Sequence, residues 1–126
     1  MNNITDELLK IVSNMPSDFK GAFNIREDSG CAGRRSSENI RIESKTDNPG
    51  INIYISAKAQ GETVYIPACV TKSGVNDLVY NDFFIEPGAD VIIVAGCGVH
   101  TEGEEESRHN GIHRFFLGKG ARALYK

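Results

Sequence analysis

The sequence predicts an all-β domain preceded by a short helix. Three observations support this. From about residue 38 apolar and polar residues alternate, which is the period of a half-buried strand. These short patterns recur about 10–12 residues apart with turn residues between them, and no second helical pattern follows. A sandwich, a barrel and a β-solenoid all agree with this spacing. The 126 residues fit one domain, with the β core over about 38–126.

Residues 4–15 form the predicted helix. Apolar residues repeat at helical spacing along it: Ile4, Leu8, Ile11, Val12 and Met15. Thr5 is suited to cap the amino end, and Asp6 and Glu7 complement the helix dipole there. Pro16 ends the pattern. We expect this helix to serve packing or assembly.

The predicted strands follow in chain order. Residues 17–37 are polar and glycine-rich without a clear period, so we expect irregular structure there. Alternation begins with Ile40 and Ile42 and continues through 51–57. A strand over 63–66 is expected to stop at Pro67. Further strands are predicted over 83–85, over the wholly apolar and therefore buried 91–95, over 112–117 and over 121–125.

Composition excludes several classes of function. The hydrophobic share is 40%, the charged share 25% and the net charge −3, as in soluble globular proteins. No basic tract exceeds Arg34-Arg35, which argues against nucleic-acid binding. No apolar run is long enough for a membrane helix, and the amino terminus has no signal pattern. Three scattered cysteines do not form a disulfide framework, so we expect a cytoplasmic protein.

The candidate chemical site is a cluster of soft and borderline metal ligands. Cys97, His100, His109 and His113 lie close together in a glycine-rich segment. His109 and His113 are four residues apart, which places both on one face of a strand. A thiolate and three imidazoles suit iron or zinc. The spacing matches no closed structural-zinc pattern, so solvent-facing histidines on adjacent turns are the alternative.

Catalytic and nucleotide-binding motifs are not convincing in this chain. Ser107 near His109 lacks a recognisable positioning acid or oxyanion arrangement. Gly96-Cys97-Gly98 follows an apolar strand, but the third glycine of a dinucleotide fingerprint is replaced by Thr101. We therefore expect a protein that is not an enzyme.

The carboxyl-terminal third resembles the SufB/SufD family, which forms the scaffold of the SUF machinery for iron–sulfur cluster assembly. The resemblance covers roughly 20–126, and its distinctive part is 91–125. There, His109-Asn110-Gly111-Ile112-His113 and Phe116-Leu117-Gly118-Lys119-Gly120-Ala121 occur in order. Segments 21–26 and 30–35 are also similar to compact members of the family.

The resemblance implies a right-handed parallel β-helix. It also implies a SufC-like ABC-type ATPase partner, a related SufB/SufD scaffold chain, and iron or an iron–sulfur cluster as the group that is handled. The chain is much shorter than the family. The later coils, which hold the residues implicated in cluster assembly, and the helical region that docks the ATPase have no counterpart here. Those residues are not carried over.

Two main functions remain open on the sequence, and a third reading is a purely structural interaction module whose Cys/His cluster binds nothing. The first is a non-enzymatic scaffold, or a fragment of one, from iron–sulfur cluster assembly. The second is a cupin-like mononuclear metal-binding protein or metalloenzyme with iron or zinc, which the glycine-rich strands and the Pro87-Gly88 turn favour. The absence of a His-x-His pair argues against it. The sequence stops at Lys126, directly after an apolar strand pattern, and we expect a homo-oligomer that covers an open strand edge.

Overall fold

The structure is a computed structural model that describes residues 19–71, 74, 76–99 and 108–126. This part of the chain is all-β. Its strands are β1 (Phe23–Glu27), β2 (Gly30–Arg35), β3 (Ile40–Ser44), β4 (Gly50–Ile55), β5 (Gln60–Val70), β6 (Asn76–Ile85), β7 (Asp90–Val99), β8 (Arg108–Leu117) and β9 (Arg122–Tyr125). The predicted helix over 4–15 lies outside the described residues. Among them, no helix is long and apolar enough to cross a membrane.

The strands form two mixed sheets. Sheet A has the order β2-β1-β5-β7-β9, and sheet B has the order β3-β4-β6-β8. From β4 onward the chain alternates between the two sheets, and each strand from β6 to β9 pairs in parallel with the strand two places earlier. β5 pairs in parallel with β1. Among the described strands, only the β1–β2 and β3–β4 pairs are antiparallel. Because every second strand returns to the same sheet, equivalent positions stack on one another.

The core lies between the two sheets. Alternate residues of each strand face inward, as the burial pattern of β4 illustrates for Ile51, Ile53 and Ile55. Phe83 of β6 is fully buried opposite Val64 and Ile93, which also have no exposed surface. This burial pattern confirms the predicted alternation over 51–57 and the predicted burial of the strand over 91–95.

Three turns between the sheets share one geometry. In each, the N–H of an alanine donates to the carbonyl three residues earlier: Ala59 to Ser56, Ala89 to Glu86 and Ala121 to Gly118. The turns also bond to each other, since the Asp90 N–H donates to the Ala59 carbonyl and the Arg122 N–H to the Ala89 carbonyl. Ala59 and Ala89 are fully buried, which explains why a small residue ends each turn.

The expectation of irregular structure over 17–37 was wrong for residues 23–35. These residues form the β1–β2 hairpin, whose two turn residues Asp28 and Ser29 adopt φ angles of 48° and 68°. The Asp28 carboxylate accepts hydrogen bonds from Thr71 through its backbone N–H (2.7 Å) and its hydroxyl (2.6 Å). The strand period was hidden because inward positions of β1 hold Asn24 in place of an apolar residue.

Two strands are also longer than predicted. β5 continues through Pro67 to Val70, with Pro67 opposite Gly96 in the register with β7. The missing N–H of Pro67 is tolerated because β1 pairs with β5 at Tyr65 and Ala68 but not at the two positions between them, Ile66 and Pro67. β6 begins at Asn76, well before the predicted 83.

Candidate functional site

A polar cavity of about 240 Å³ lies between the two sheets, where their facing rows change from apolar to polar residues. Its polar wall comes from β1, β6, β8 and β9 through Asn24, Arg26, Asn81, His113 and Tyr125. Its apolar wall includes Ile51, Ile66, Val79 and Ala95. A cavity of this volume exceeds the space of one water molecule and is smaller than typical pockets for drug-sized ligands.

A buried ion pair joins the two sheets beside the cavity. Arg26 Nε donates to Asp77 Oδ2 at 2.8 Å and to Oδ1 at 3.1 Å, and Nη2 donates to Oδ1 at 2.7 Å. The side chain of Asp77 is 3% exposed and that of Arg26 18%. Removal of either partner would leave a buried charge without compensation. The pair therefore links the interior faces of β1 and β6 and neutralises the arginine.

Two buried asparagines supply amide groups to the same cavity. Asn24 Oδ1 accepts hydrogen bonds from Arg34 Nε at 2.7 Å and from the Cys31 thiol at 3.7 Å. Its carbonyl oxygen is thereby occupied, and the residue lines the cavity. Asn81 is 9% exposed, and among the described residues none is hydrogen-bonded to its side-chain amide.

His113 lies at the cavity among aromatic rings. Its imidazole stacks against Phe83 with centroids 6.2 Å apart, and Tyr125 meets it edge-on at 5.5 Å. Burial raises the pKa of the Tyr125 phenol because the ionised form is poorly solvated there.

The structure places the backbones of three of the four predicted ligands. Cys97 is in β7 of sheet A, paired with Ala68, whereas His109 and His113 are in β8 of sheet B, paired with Asp77 and Asn81. The side chain of His113 alone is described, and His100 lies outside the described residues. The part of the chain that the structure describes contains no group of three His, Cys, Asp or Glu residues fit to hold a metal ion. The four-residue ligand set stays a prediction.

Sequence reasoning missed the polar residues that build the cavity wall. A usable signal was nevertheless present. Asp77 and Asn81 of β6 stand in register with His109 and His113 of β8, and the registers end in Phe83-Phe84-Ile85 and Phe115-Phe116-Leu117. Comparison of these two segments would have indicated that both carry two polar residues four apart before an apolar stretch.

No protein-family model, curated protein or solved structure matches this chain.

The outer face of sheet B carries a second polar cluster. Asp82 is 3% exposed and accepts hydrogen bonds from Lys45 Nζ at 2.6 Å, Arg114 Nε at 2.8 Å and Arg114 Nη2 at 2.6 Å. Hydrogen bonds from Arg114 first, and then from Lys45, lower the pKa of Asp82, although its burial acts in the opposite direction. The cluster holds β3, β6 and β8 together across the sheet.

An aromatic row lies next to this cluster. Tyr54, Phe84 and Phe116 stack with centroids 5.1 and 5.0 Å apart, and Arg41 covers the outer ring of Tyr54 at 4.5 Å. Because the rings stack on each other, their edges face solvent. Phe116 ends the row, so one of its faces is not covered by a further ring of the row. The row stabilises the stack of strands.

Proposed function

We propose that the chain is a scaffold component of the SUF iron–sulfur cluster assembly system, similar to SufB/SufD and not an enzyme by itself. The observation that carries the proposal is the alternation of the chain between two stacks of parallel strands with aligned turns. Successive coils that stack parallel strands are the pattern expected of a β-helix, which is the architecture that the family resemblance implies. On this proposal β4–β5, β6–β7 and β8–β9 are successive coils.

Iron or a nascent iron–sulfur cluster is the cargo of such a scaffold. The backbones of Cys97 and His113 lie in β7 and β8, strands of the two sheets, and His113 lines the cavity between the sheets. Cys97, His100, His109 and His113 are the ligands that we propose for this cargo.

The proposed partners follow from the same resemblance. They are a SufC-like ABC ATPase and a related SufB/SufD chain, with a second copy of this chain as the simplest assembly. Strands β8 and β9 are the outermost described strands of sheets B and A, respectively. Both lie at the same end of the stack, where a further scaffold chain would add its strands.

The test is the iron and acid-labile sulfide content of untagged protein purified without oxygen. We expect both elements in the wild-type protein and their loss in a Cys97→Ser variant, because a serine hydroxyl is a poor ligand for iron–sulfur clusters. Cys31→Ser is the matched control, since Cys31 is an exposed cysteine on β2. Its iron and sulfide content should equal that of the wild type.

Other results would contradict the scaffold proposal. Equal loss in both cysteine variants would indicate adventitious binding to thiols. Zinc or iron without sulfide would favour the cupin-like mononuclear alternative, which has no observation among the described residues in its support. Protein without metal would leave a structural module that needs other chains for its chemistry.

A further inference from the structure

The outer face of sheet A, the face turned away from sheet B, carries a small apolar cluster. Asn24 and Arg26 of β1 line the cavity between the sheets, so Ile25 between them faces outward. Cys69 of β5 packs with Ile25, and the two are separate from the core between the sheets. We call this group the outer cluster. It consists of Ile25, Cys69 and, partly buried beside them, Phe23 and Ala32.

The outer cluster is buried, although none of the nine described strands lies over it. Ile25 is 3% exposed and Cys69 1%, while every described strand belongs to one of the two sheets. A bare sheet face leaves large side chains far more exposed, as Leu124 of β9 at 53% and Leu78 of β6 at 45% illustrate. The residue opposite Ile25 on β2 is Gly33, which has no side chain to cover it. The cluster therefore needs a cover from outside the described strands.

The described part of the chain begins on this same face. Phe19, its first residue, meets the ring of Tyr65 edge-on with centroids 4.7 Å apart. Tyr65 is the partner of Phe23 in the register of β1 with β5. Arg35 Nη2 fixes this position by donating to the backbone carbonyls of Phe19 at 2.6 Å and Gly21 at 2.9 Å. Residues 1–18 therefore lead away from a point beside the outer cluster.

We propose that residues 4–15 form a helix whose apolar side packs on the outer cluster. The apolar residues of this segment repeat at helical spacing and give it one apolar side. They are Ile4, Leu8, Ile11, Val12 and Met15. The other segments outside the described residues lack such a side. Residues 100–107 contain four glutamates and no large apolar residue, and Val75 is the one apolar residue near the end of β5.

The dimensions of one helix fit the covered area. A helix over 4–15 is about 18 Å long, whereas the path along β5 from Tyr65 to Cys69 is about 13 Å. A helix about 10 Å wide covers two strands spaced about 4.8 Å apart. It would cover β1 and β5 and leave β9 bare, in agreement with the exposure of Leu124. A partner chain could then reach this part of sheet A only by displacing the helix.

The direct test is a methyl NOE experiment on the full chain. We expect NOEs from the Ile25 δ1 methyl group to methyl groups of Leu8, Ile11 or Val12, because packed apolar groups lie within about 4.5 Å of each other. A mixture of differently labelled copies separates contacts within one chain from contacts between chains. The absence of these NOEs, NOEs from Ile25 to Val75 instead, or NOEs only between copies would overturn the proposal.

The reactivity of the Cys69 thiol tests the cover by substitution. A Cys31→Ser, Cys97→Ser background leaves Cys69 as the single thiol. Ile11→Glu puts a charge on the apolar side of the helix and should raise the rate of Cys69 alkylation by iodoacetamide more than about tenfold, because release of the segment exposes the thiol. Ser13→Glu is the matched control. It adds the same charge about 200° further round the helix and should leave the rate unchanged.

Urea separates release of the segment from unfolding of the whole domain. Local release exposes little surface, so the alkylation rate of Ile11→Glu should depend only weakly on urea below the unfolding transition. Ile11→Ala serves as the milder variant if Ile11→Glu does not fold. Equal rates for Ile11→Glu and Ser13→Glu, or a rate that follows global unfolding, would overturn the proposal.

Discussion

At the scale of residues, buried charge is what most distinguishes this β protein. Asp77 and Asp82 are five residues apart on β6 and therefore face opposite ways, one into the interior with Arg26 and one onto the outer face with Lys45 and Arg114. Both carboxylates are almost fully buried. Each joins strands that are distant in sequence. Removal of the partner of either carboxylate would lower the free energy of unfolding. These residues hold the stack in register as much as the apolar rows do.

The stability of the protein should depend on acid pH through Asp82. The pKa of this carboxyl is lowered in the folded state, so it binds protons less readily there than in the unfolded chain. Its contribution is complete above the unfolded pKa of about 3.9 and is lost as pH falls below it, through the folded pKa. Urea unfolding from about pH 7 to pH 2 should show this loss in the wild type.

Asp82→Asn tests the assignment of that loss. Lys45 is 4% exposed and would lose its carboxylate partner, so the free energy of unfolding at neutral pH should fall by about 3–5 kcal/mol. The acid dependence should flatten in the same variant. Glu43→Gln is the control, because its pair with Arg41 is exposed and contributes at most about 1 kcal/mol. Parallel acid curves for wild type and Asp82→Asn would contradict the prediction.

At the scale of elements, the chain depends on close approaches that few side chains permit. Gly50 opens β4 with φ of 136°, and a Cβ there would lie 1.8 Å from the carbonyl oxygen of Tyr80 on β6. The preceding carbonyl, that of Pro49, accepts the Tyr80 N–H at 2.8 Å. Thus β4 enters the sheet only because position 50 has no side chain.

Gly50→Ala should therefore lower the free energy of unfolding by about 3 kcal/mol or more, since the clash is with backbone that cannot rotate away. Gly88→Ala is the matched control. Gly88 also has positive φ, 81°, but no atom lies within 4 Å of its Cβ position. That variant should lose only the backbone strain, about 1–2 kcal/mol. If urea unfolding shows that both variants lose the same free energy of unfolding, the close approach to Tyr80 is not the cause of the loss in Gly50→Ala.

The elements that sequence predicted correctly are those with apolar inner rows. The periods over 51–57, 91–95 and 121–125 each correspond to a strand, with ends displaced by a few residues. The β1–β2 hairpin and the first half of β6 were not predicted as strands, because their inward positions hold polar residues: Asn24, Arg26, Asp77 and Asn81. A hydrophobic period cannot detect a strand whose buried side chains are polar and satisfied by long-range partners. The hydrophobic period missed the cavity for the same reason.

At the scale of the whole molecule, exposed apolar surface is concentrated at one end. We call this surface the end face; it consists of β8 and β9, the outermost described strands of the two sheets. Large exposed hydrophobic residues among those described lie there with one exception, Leu78 on β6. They are Ile112, Phe115, Phe116, Leu117, Leu124 and Tyr125. Contiguous apolar surface beside open strand edges indicates an interaction site.

We expect the end face to pair with that of a second copy, because two identical edges related by a two-fold axis close an assembly without leaving a further edge. Light scattering during size-exclusion chromatography should give a dimer mass for the wild-type protein. Leu117→Lys, at a position 54% exposed on the end face, should shift the mass to that of a monomer, since lysine blocks edge pairing. Leu78→Lys makes the same change at a residue 45% exposed away from that face and should remain dimeric. A monomeric wild type at high concentration would rule out the second copy, and dissociation by Leu78→Lys would place the contact elsewhere on sheet B.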